Sequence, residues 1–162
     1  QFLIRENKLD LITTMRSNDM IWGLPNDIFL FTMIQEILAS ELKIESGNYY
    51  HQANSLHIYK RHFDLMNRIL KNPHYIDFEM DKMAVIHEIP FFIQLEKSIR
   101  TNKNLLFDFE IDNYWKEIIN VVKLRSKNYT KEDKERLVQN SKFRNLIKLC
   151  PIKYIDHSCK MA

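Results

Sequence analysis

Residues 16 to 27 read 'RSNDMIWGLPND' and gather the groups of this chain best suited to hold a small polar ligand. Arg16 offers a planar fork of donors beside the short hydroxyl of Ser17, a pairing that grips phosphate. The same two residues also suit an ordinary surface ion pair and a turn serine. Asp19 either orients a ligand or closes a turn. Asp27 stands at the mouth of a long apolar run, so its carboxylate either caps a helix or reads something polar. On local chemistry alone the cap is the simpler role. His57 and Tyr59 lie two apart in extended sequence and share a face, where imidazole and phenol can hold a hydroxyl between them. On a half-buried sheet face the same tips simply meet water. His51, His62, His74 and His87 lack metal-ligand spacing and read as surface or packing residues.

These groups need elements to place them. In 'QFLIRENKLDLITTMRS' the side chains of Phe2, Ile4, Leu9, Leu11, Thr13 and Met15 alternate around a polar 'ENK' break, which predicts a β-hairpin. The 16–27 stretch follows as a loop, with Gly23 as its flexible joint. From Pro25 the pattern becomes helical, and apolar residues from Ile28 to Leu38 cover most of the circumference. That predicts a helix buried on nearly all sides, with Asn26 and Asp27 at its positive end. Gly47 breaks the chain before 'NYYHQANSLHIYK', an extended strand. A helix over 61–72 ends at Pro73. 'FFIQLEKSIR', 'DNYWKEIINVVKLR' and 'TKEDKERLVQNSKFRNLIKLC' are helical, the last opened by a Thr130-x-x-Asp133 capping signal. The stripe Tyr114, Trp115, Ile118, Ile119, Val122 suits core or an interface. Hairpin, buried helix, strand and then helices make an α+β fold.

The 162 residues suit one domain, and 45% hydrophobic content supplies a core. A formal charge of +3, with acids and bases interleaved as in 'KEDKERLVQNSKFRN', is the pattern of solvated helix faces and argues against nucleic-acid binding. No apolar run is long enough to span a membrane. Cys150 and Cys159 form no CxxC pair and read as reduced or incidental thiols, in keeping with a cytoplasmic setting. The opening 'QFLIR' reads as mid-strand, with residues expected upstream.

Taken in order, Arg16-Ser17-x-Asp19, Gly23-Leu24-Pro25, the long helix, Gly47 and His57-x-Tyr59 resemble the thymidylate synthase family. The resemblance runs through residues 1–72, the expected family core. Residues 73–162 are expected to form a divergent helical tail of one single domain. It implies a mixed β-sheet packed on a long buried helix, with a helical C-terminal extension. It also implies that Arg16 and Ser17 bind the nucleotide phosphate and that His57 and Tyr59 bind the sugar hydroxyl. The resemblance further implies that Asp19, Trp22 and Gly23 border a 5,10-methylenetetrahydrofolate cofactor, and that Asp19 and Asp27 carry catalytic roles. Family members are homodimers packed sheet against sheet, which implies the same here.

Thymidylate synthases usually carry asparagine where this chain has Asp27. An amide side chain complements uracil, a donor at N3–H and an acceptor at O4. Cytosine presents the reverse, and a carboxylate accepts from its N4 amino group while favouring a protonated N3. In this respect the chain is similar to the cytidylate hydroxymethylases of the family, which implies hydroxymethylation of CMP or dCMP at C5. Methylation of dUMP, and a non-catalytic nucleotide-binding or interaction module, are the alternatives. Met15, Trp22, Asn26 and the segment Ala53 to Leu56 depart from the family pattern. The family's nucleophilic cysteine is expected upstream of Gln1, and neither Cys150 nor Cys159 matches its position.

Overall fold

The computed structural model describes residues 1–71, 81–83, 86–101 and 111–141. Pro73, His74, Cys150, Cys159 and the end of the last predicted helix lie outside them. The chain divides into two compact units, Gln1–Tyr75 and Ile76–Ala162.

The first unit opens with the predicted hairpin. Strand β1 (Phe2–Arg5) pairs antiparallel with β2 (Lys8–Met15), with Arg5 opposite Lys8. Glu6 and Asn7, at φ 49° and 60°, form the two-residue turn, whose doubly left-handed backbone matches the twist of the strands. Strand β4 (Glu45–Ala53) then runs parallel to β2, giving a mixed sheet in the order β1-β2-β4. Gly47 lies inside this strand rather than ahead of it. Parallel pairing requires a crossover, and α1 (Gly23–Glu41) supplies it. Lys43, at φ 57°, turns the chain out of α1 so that the Ile44 amide reaches Ala39 O at 3.0 Å.

Helix and sheet meet at a bulge. Leu9 faces Ser46 but Leu11 faces Tyr49, so one residue of β2 spans two of β4. The buried Asp10 carboxylate accepts from Asn48 N at 2.7 Å. From α1, the Gln35 amide, 3% exposed, donates to Leu9 O at 2.7 Å and lies within reach of Gly47 O and Asn48 O. Leu9 O and Asn48 N, thrown out of register, thus each find a side-chain partner, as buried backbone groups require.

Two expectations about α1 need correction. It starts at Gly23, with Trp22 as a cap residue that makes no side-chain cap bond, so Asp27 sits past the first turn and caps nothing. Nor is α1 enclosed on nearly all sides. Only Gln35 and Ala39 are buried, while Ile28, Phe29, Leu30 and Ile34 are exposed, Phe29 by 60%. An all-round apolar sequence states which faces prefer burial, not which are covered. A two-residue strand β3 (Asn18–Asp19) interrupts the expected loop and pairs in parallel with β5 (Leu56–His57). A single 3-10 turn, Lys60–His62, leads into α2 (Phe63–Lys71).

Among its described residues the second unit carries α3 (Ile89–Thr101), α4 (Asn113–Arg125) and α5 (Lys131–Asn140), as the pattern predicts, except that α5 closes at an extended Ser141, inside the stretch expected to be one helix. Asp112 caps α4 by accepting from Tyr114 N at 2.9 Å. Thr130 and Asp133 form the predicted reciprocal capping box. The aromatic stripe of α4 is core: Tyr114, Trp115 and Ile119 are buried, with Trp115 tilted against Phe92 at 4.9 Å between ring centroids.

Candidate functional site

Parallel strands release their chains at the same edge, the usual position for a site in such sheets. After Met15 come Arg16 and Ser17. After Ala53 come Asn54 and Ser55, and Asn54 N donates to Met15 O at 3.0 Å. The β3–β5 pair then carries both chains onward, with Asp19 opposite His57. Asn18 N bonds Ser55 O at 2.8 Å and Met20 N bonds His57 O at 2.9 Å. Residues 40 apart in sequence are thereby held together, and Ser17 Oγ lies 3.2 Å from His57 Nδ1.

His57 and Tyr59 do share a face. Their rings meet edge to face at 4.9 Å, and the Arg61 guanidinium lies 4.8 Å over the Tyr59 ring. His62 joins them, edge-on to Tyr59 at 6.2 Å and to Trp22 at 6.3 Å, and its Nδ1 is buried without a partner. The Trp22 indole is 53% exposed. Arg16 is exposed and, among the described residues, has no hydrogen-bond or ion-pair partner. Among the described residues the expected surface ion pair does not form.

Asp19 closes the turn into α1. Its carboxylate accepts from Ile21 N at 3.3 Å and Trp22 N at 3.1 Å. Burial raises its pKa, but hydrogen bonds from the Trp22, Ile21 and Gly23 amides and the nearby charge of His62 outweigh burial. The Asp19 carboxyl is therefore held below its ordinary value. The positive end of α1 is thus already met by a carboxylate. Because the folded value is depressed, the carboxylate stabilises the fold above the ordinary carboxylate range. That contribution is lost as pH falls through the depressed value. Asp19→Asn is expected to lower the denaturation midpoint at neutral pH. Its gap to the parent chain should narrow as pH falls below the ordinary carboxylate range, as followed by urea titration at neutral and at acid pH.

Asp27, half-buried and one helical turn beyond Gly23, has no hydrogen-bond or ion-pair partner among the described residues. With Asp19 at the turn, the capping role has another occupant. Gly23 is required for space rather than flexibility: its φ is not positive, and a Cβ there would overlap Asn18 Oδ1. The structure brings together Ser17, Asp19, Trp22, Gly23, His57 and Tyr59, with Arg16 adjoining Ser17 in the chain. Asp27 follows on the same helix and makes no hydrogen bond or ion pair to them.

Sequence reasoning missed Asn18 and set aside His51 and His62. Asn18 is 3% exposed, and its Nδ2 lies 2.9 Å from His51 Nε2. His51 Nδ1 meets Tyr49 OH at 2.7 Å and Thr13 Oγ1 at 3.3 Å. No spacing rule joins these residues; the one available signal was Gly23, a lone glycine marking a tight approach. Among the described residues no group of three or more His, Cys, Asp or Glu is arranged to hold a metal, and no helix is long and apolar enough to cross a membrane.

Comparison with known proteins supplies the remaining findings. The protein-family model described as "Thymidylate synthase" matches residues 1–121, past the expected limit at 72 and into α4. The chain is similar to a Bacillus licheniformis thymidylate synthase, 32% identical over 114 residues, covering 70% of this chain and 35% of that protein. It is also similar to the deoxycytidylate 5-hydroxymethyltransferase of Enterobacteria phage T4, 34% identical over 74 residues, covering 41% of this chain and 30% of that one. Among solved structures, thermostable thymidylate synthase A from Bacillus subtilis is 25% identical with a TM-score of 0.48, covering 54% of this chain and 33% of that chain. The chain spans about a third of the length of these relatives.

Proposed function

Since this chain belongs to the thymidylate synthase family, we propose that it serves folate-dependent transfer of a one-carbon unit to C5 of a pyrimidine nucleotide, with cytosine as the base and CMP or dCMP as substrate. The observation that carries the choice of base is the state of Asp27. Its carboxylate is free of protein partners among the described residues, while Asp19 closes the turn that Asp27 would otherwise cap. A half-buried free carboxylate accepts from an exocyclic amino group and pairs with a protonated ring nitrogen. Against uracil it would set acceptor against O4.

The other roles follow from position. Arg16 and Ser17 bind the phosphate, a dianion suited to a free guanidinium and a hydroxyl. His57 and Tyr59 hold the sugar hydroxyl. With Ser17 bonded to His57, phosphate and sugar groups share one rigid frame. The exposed Trp22 indole, beside Asp19 and Gly23, presents a flat apolar face of the kind on which a fused heterocycle stacks. These residues fit 5,10-methylenetetrahydrofolate, which supplies a one-carbon unit at the methylene level when bound. No residue of this chain is assigned the thiolate that would activate the pyrimidine, since neither Cys150 nor Cys159 matches the position the family resemblance implies. Action as a homodimer in the cytoplasm is part of the same proposal and rests on the family resemblance.

The test is tritium release from C5-labelled CMP, dCMP and dUMP with methylenetetrahydrofolate present, alongside equilibrium binding of the unlabelled nucleotides. Release from, or selective binding of, a cytosine nucleotide is expected. Release from dUMP alone would make the chain a methylating member, as its similarity to the Bacillus licheniformis thymidylate synthase would also suit. Binding of none of them would leave a non-catalytic module.

A further inference from the structure

A chain of hydrogen bonds runs from the sheet interior to the ligand-facing loop, and its proton pattern is determined by the groups at its ends. The Asn18 amide nitrogen can only donate, so His51 Nε2, 2.9 Å away, accepts. A neutral imidazole accepting at Nε2 carries its proton at Nδ1, which then donates to Tyr49 OH at 2.7 Å. The phenol in turn donates to Thr13 Oγ1 at 2.9 Å, and the threonine hydroxyl points toward Tyr50 O at 3.5 Å. The amide orientation has independent support at its far side. Asn18 Oδ1 packs against Gly23 where a Cβ would stand, and a carbonyl oxygen suits that Cα–H surface better than an NH2 group does.

We propose that His51 is a positioning residue which, acting through Asn18, sets the Ser17–Asp19 loop that grips the nucleotide. This rests on the reading that Ser17 and His57 bind the nucleotide. Asn18 is the lever because it sits between the two site residues. On one side Ser17 reaches His57, and on the other Asp19 closes the turn into α1. Its side chain is nearly fully buried, and His51 is its hydrogen-bond partner. Released from the imidazole, the amide would leave a buried donor unpaired, so the loop would move to rehydrate it. The hydrogen-bond contacts of His51 are with Asn18, Tyr49 and Thr13. Its partners come from β2, β3 and β4, so it ties the end of the sheet to the site.

Two variants and one spectrum test this. In the unmodified chain, nitrogen-15 shifts of the His51 ring should show the Nδ1-protonated tautomer; an Nε2-protonated ring would overturn the proposal. In His51→Phe, hydrogen exchange at the Asn18 and Met20 amides should speed up on the order of tenfold, with dCMP affinity falling by a similar factor. Amides of the β1–β2 ladder should be little changed. Tyr49→Phe keeps ring volume while removing the nearer acceptor for Nδ1–H, at 2.7 Å, and leaving only the longer reach to Thr13 Oγ1 at 3.3 Å. It should shift the tautomer toward Nε2–H and reproduce the loosening of Asn18 and Met20, which keeps the question open to measurement if His51→Phe fails to fold. Unchanged exchange at those amides in Tyr49→Phe overturns the proposal. If the parent chain binds neither CMP, dCMP nor dUMP, the nucleotide reading falls. The tautomer and exchange data still decide what His51 does.

Discussion

Asp27→Asn should turn the base preference around, cutting affinity for the cytosine nucleotide on the order of 10- to 100-fold while that for dUMP rises. The magnitude follows from mispaired buried polar groups, at about 1–3 kcal/mol each. The substitution keeps volume and shape. It exchanges two acceptors for an acceptor and a donor at a group that makes no hydrogen bond or ion pair among the described residues. No hydrogen bond or ion pair among the described residues is lost, so the thermal midpoint should stay within about a degree of the parent, by the small effect usual for sites without partners. Competition binding of dCMP against dUMP, with a melting curve on the same sample, separates the outcomes. A large drop in midpoint would mean that Asp27 supports the helix. An unchanged preference would mean that it does not face the base.

Gly47→Ala is expected to be the most damaging single methyl group in the first unit, costing about 3 kcal/mol. Gly47 does not need a left-handed backbone, since its φ is not positive. What it needs is room. A Cβ there would overlap the Asp10 carboxylate and press on the Leu9 carbonyl, both at the bulge. Asp10 has no free direction of retreat, because its oxygen holds the Asn48 amide and the residue is buried. Moving the Leu9 carbonyl would disturb the bond from Gln35. A methyl group therefore strains backbone and breaks a buried hydrogen-bond set together. Urea denaturation should show a lower midpoint with an unchanged slope. A loss below about 1 kcal/mol would mean that the bulge adapts.

What was legible in the sequence follows physical range. The hairpin could be read because strand alternation is local and the polar break needs only residues with tolerable left-handed backbones, here Glu6 and Asn7. The Thr130–Asp133 box was legible for the same reason. The Ser17, Asp19, Gly23, His57 and Tyr59 set was visible through family resemblance, and the fold then placed Ser17 and His57 together. The start of α1 was misplaced because Pro25 is a strong local signal, whereas the true start is set by Asp19 reaching forward to the Trp22 amide. The exposure of Phe29 was invisible because periodicity reports preference and not cover. His51 and Asn18 escaped because a hydrogen bond across 33 residues leaves no pattern in either neighbourhood.

The crossover between β2 and β4 also governs when the site comes into being. The hairpin closes over a handful of residues and is a fast event, but Thr13 meets His51 across 38 residues and Ser17 meets His57 across 40. Parallel pairing waits for α1 to bridge that distance, and loop closure must be met before any contact rewards it. Ligand-binding competence is therefore a late arrival in the maturation of this chain. A polypeptide halted at the hairpin stage would carry regular structure, yet Ser17 would still lack its His57 partner.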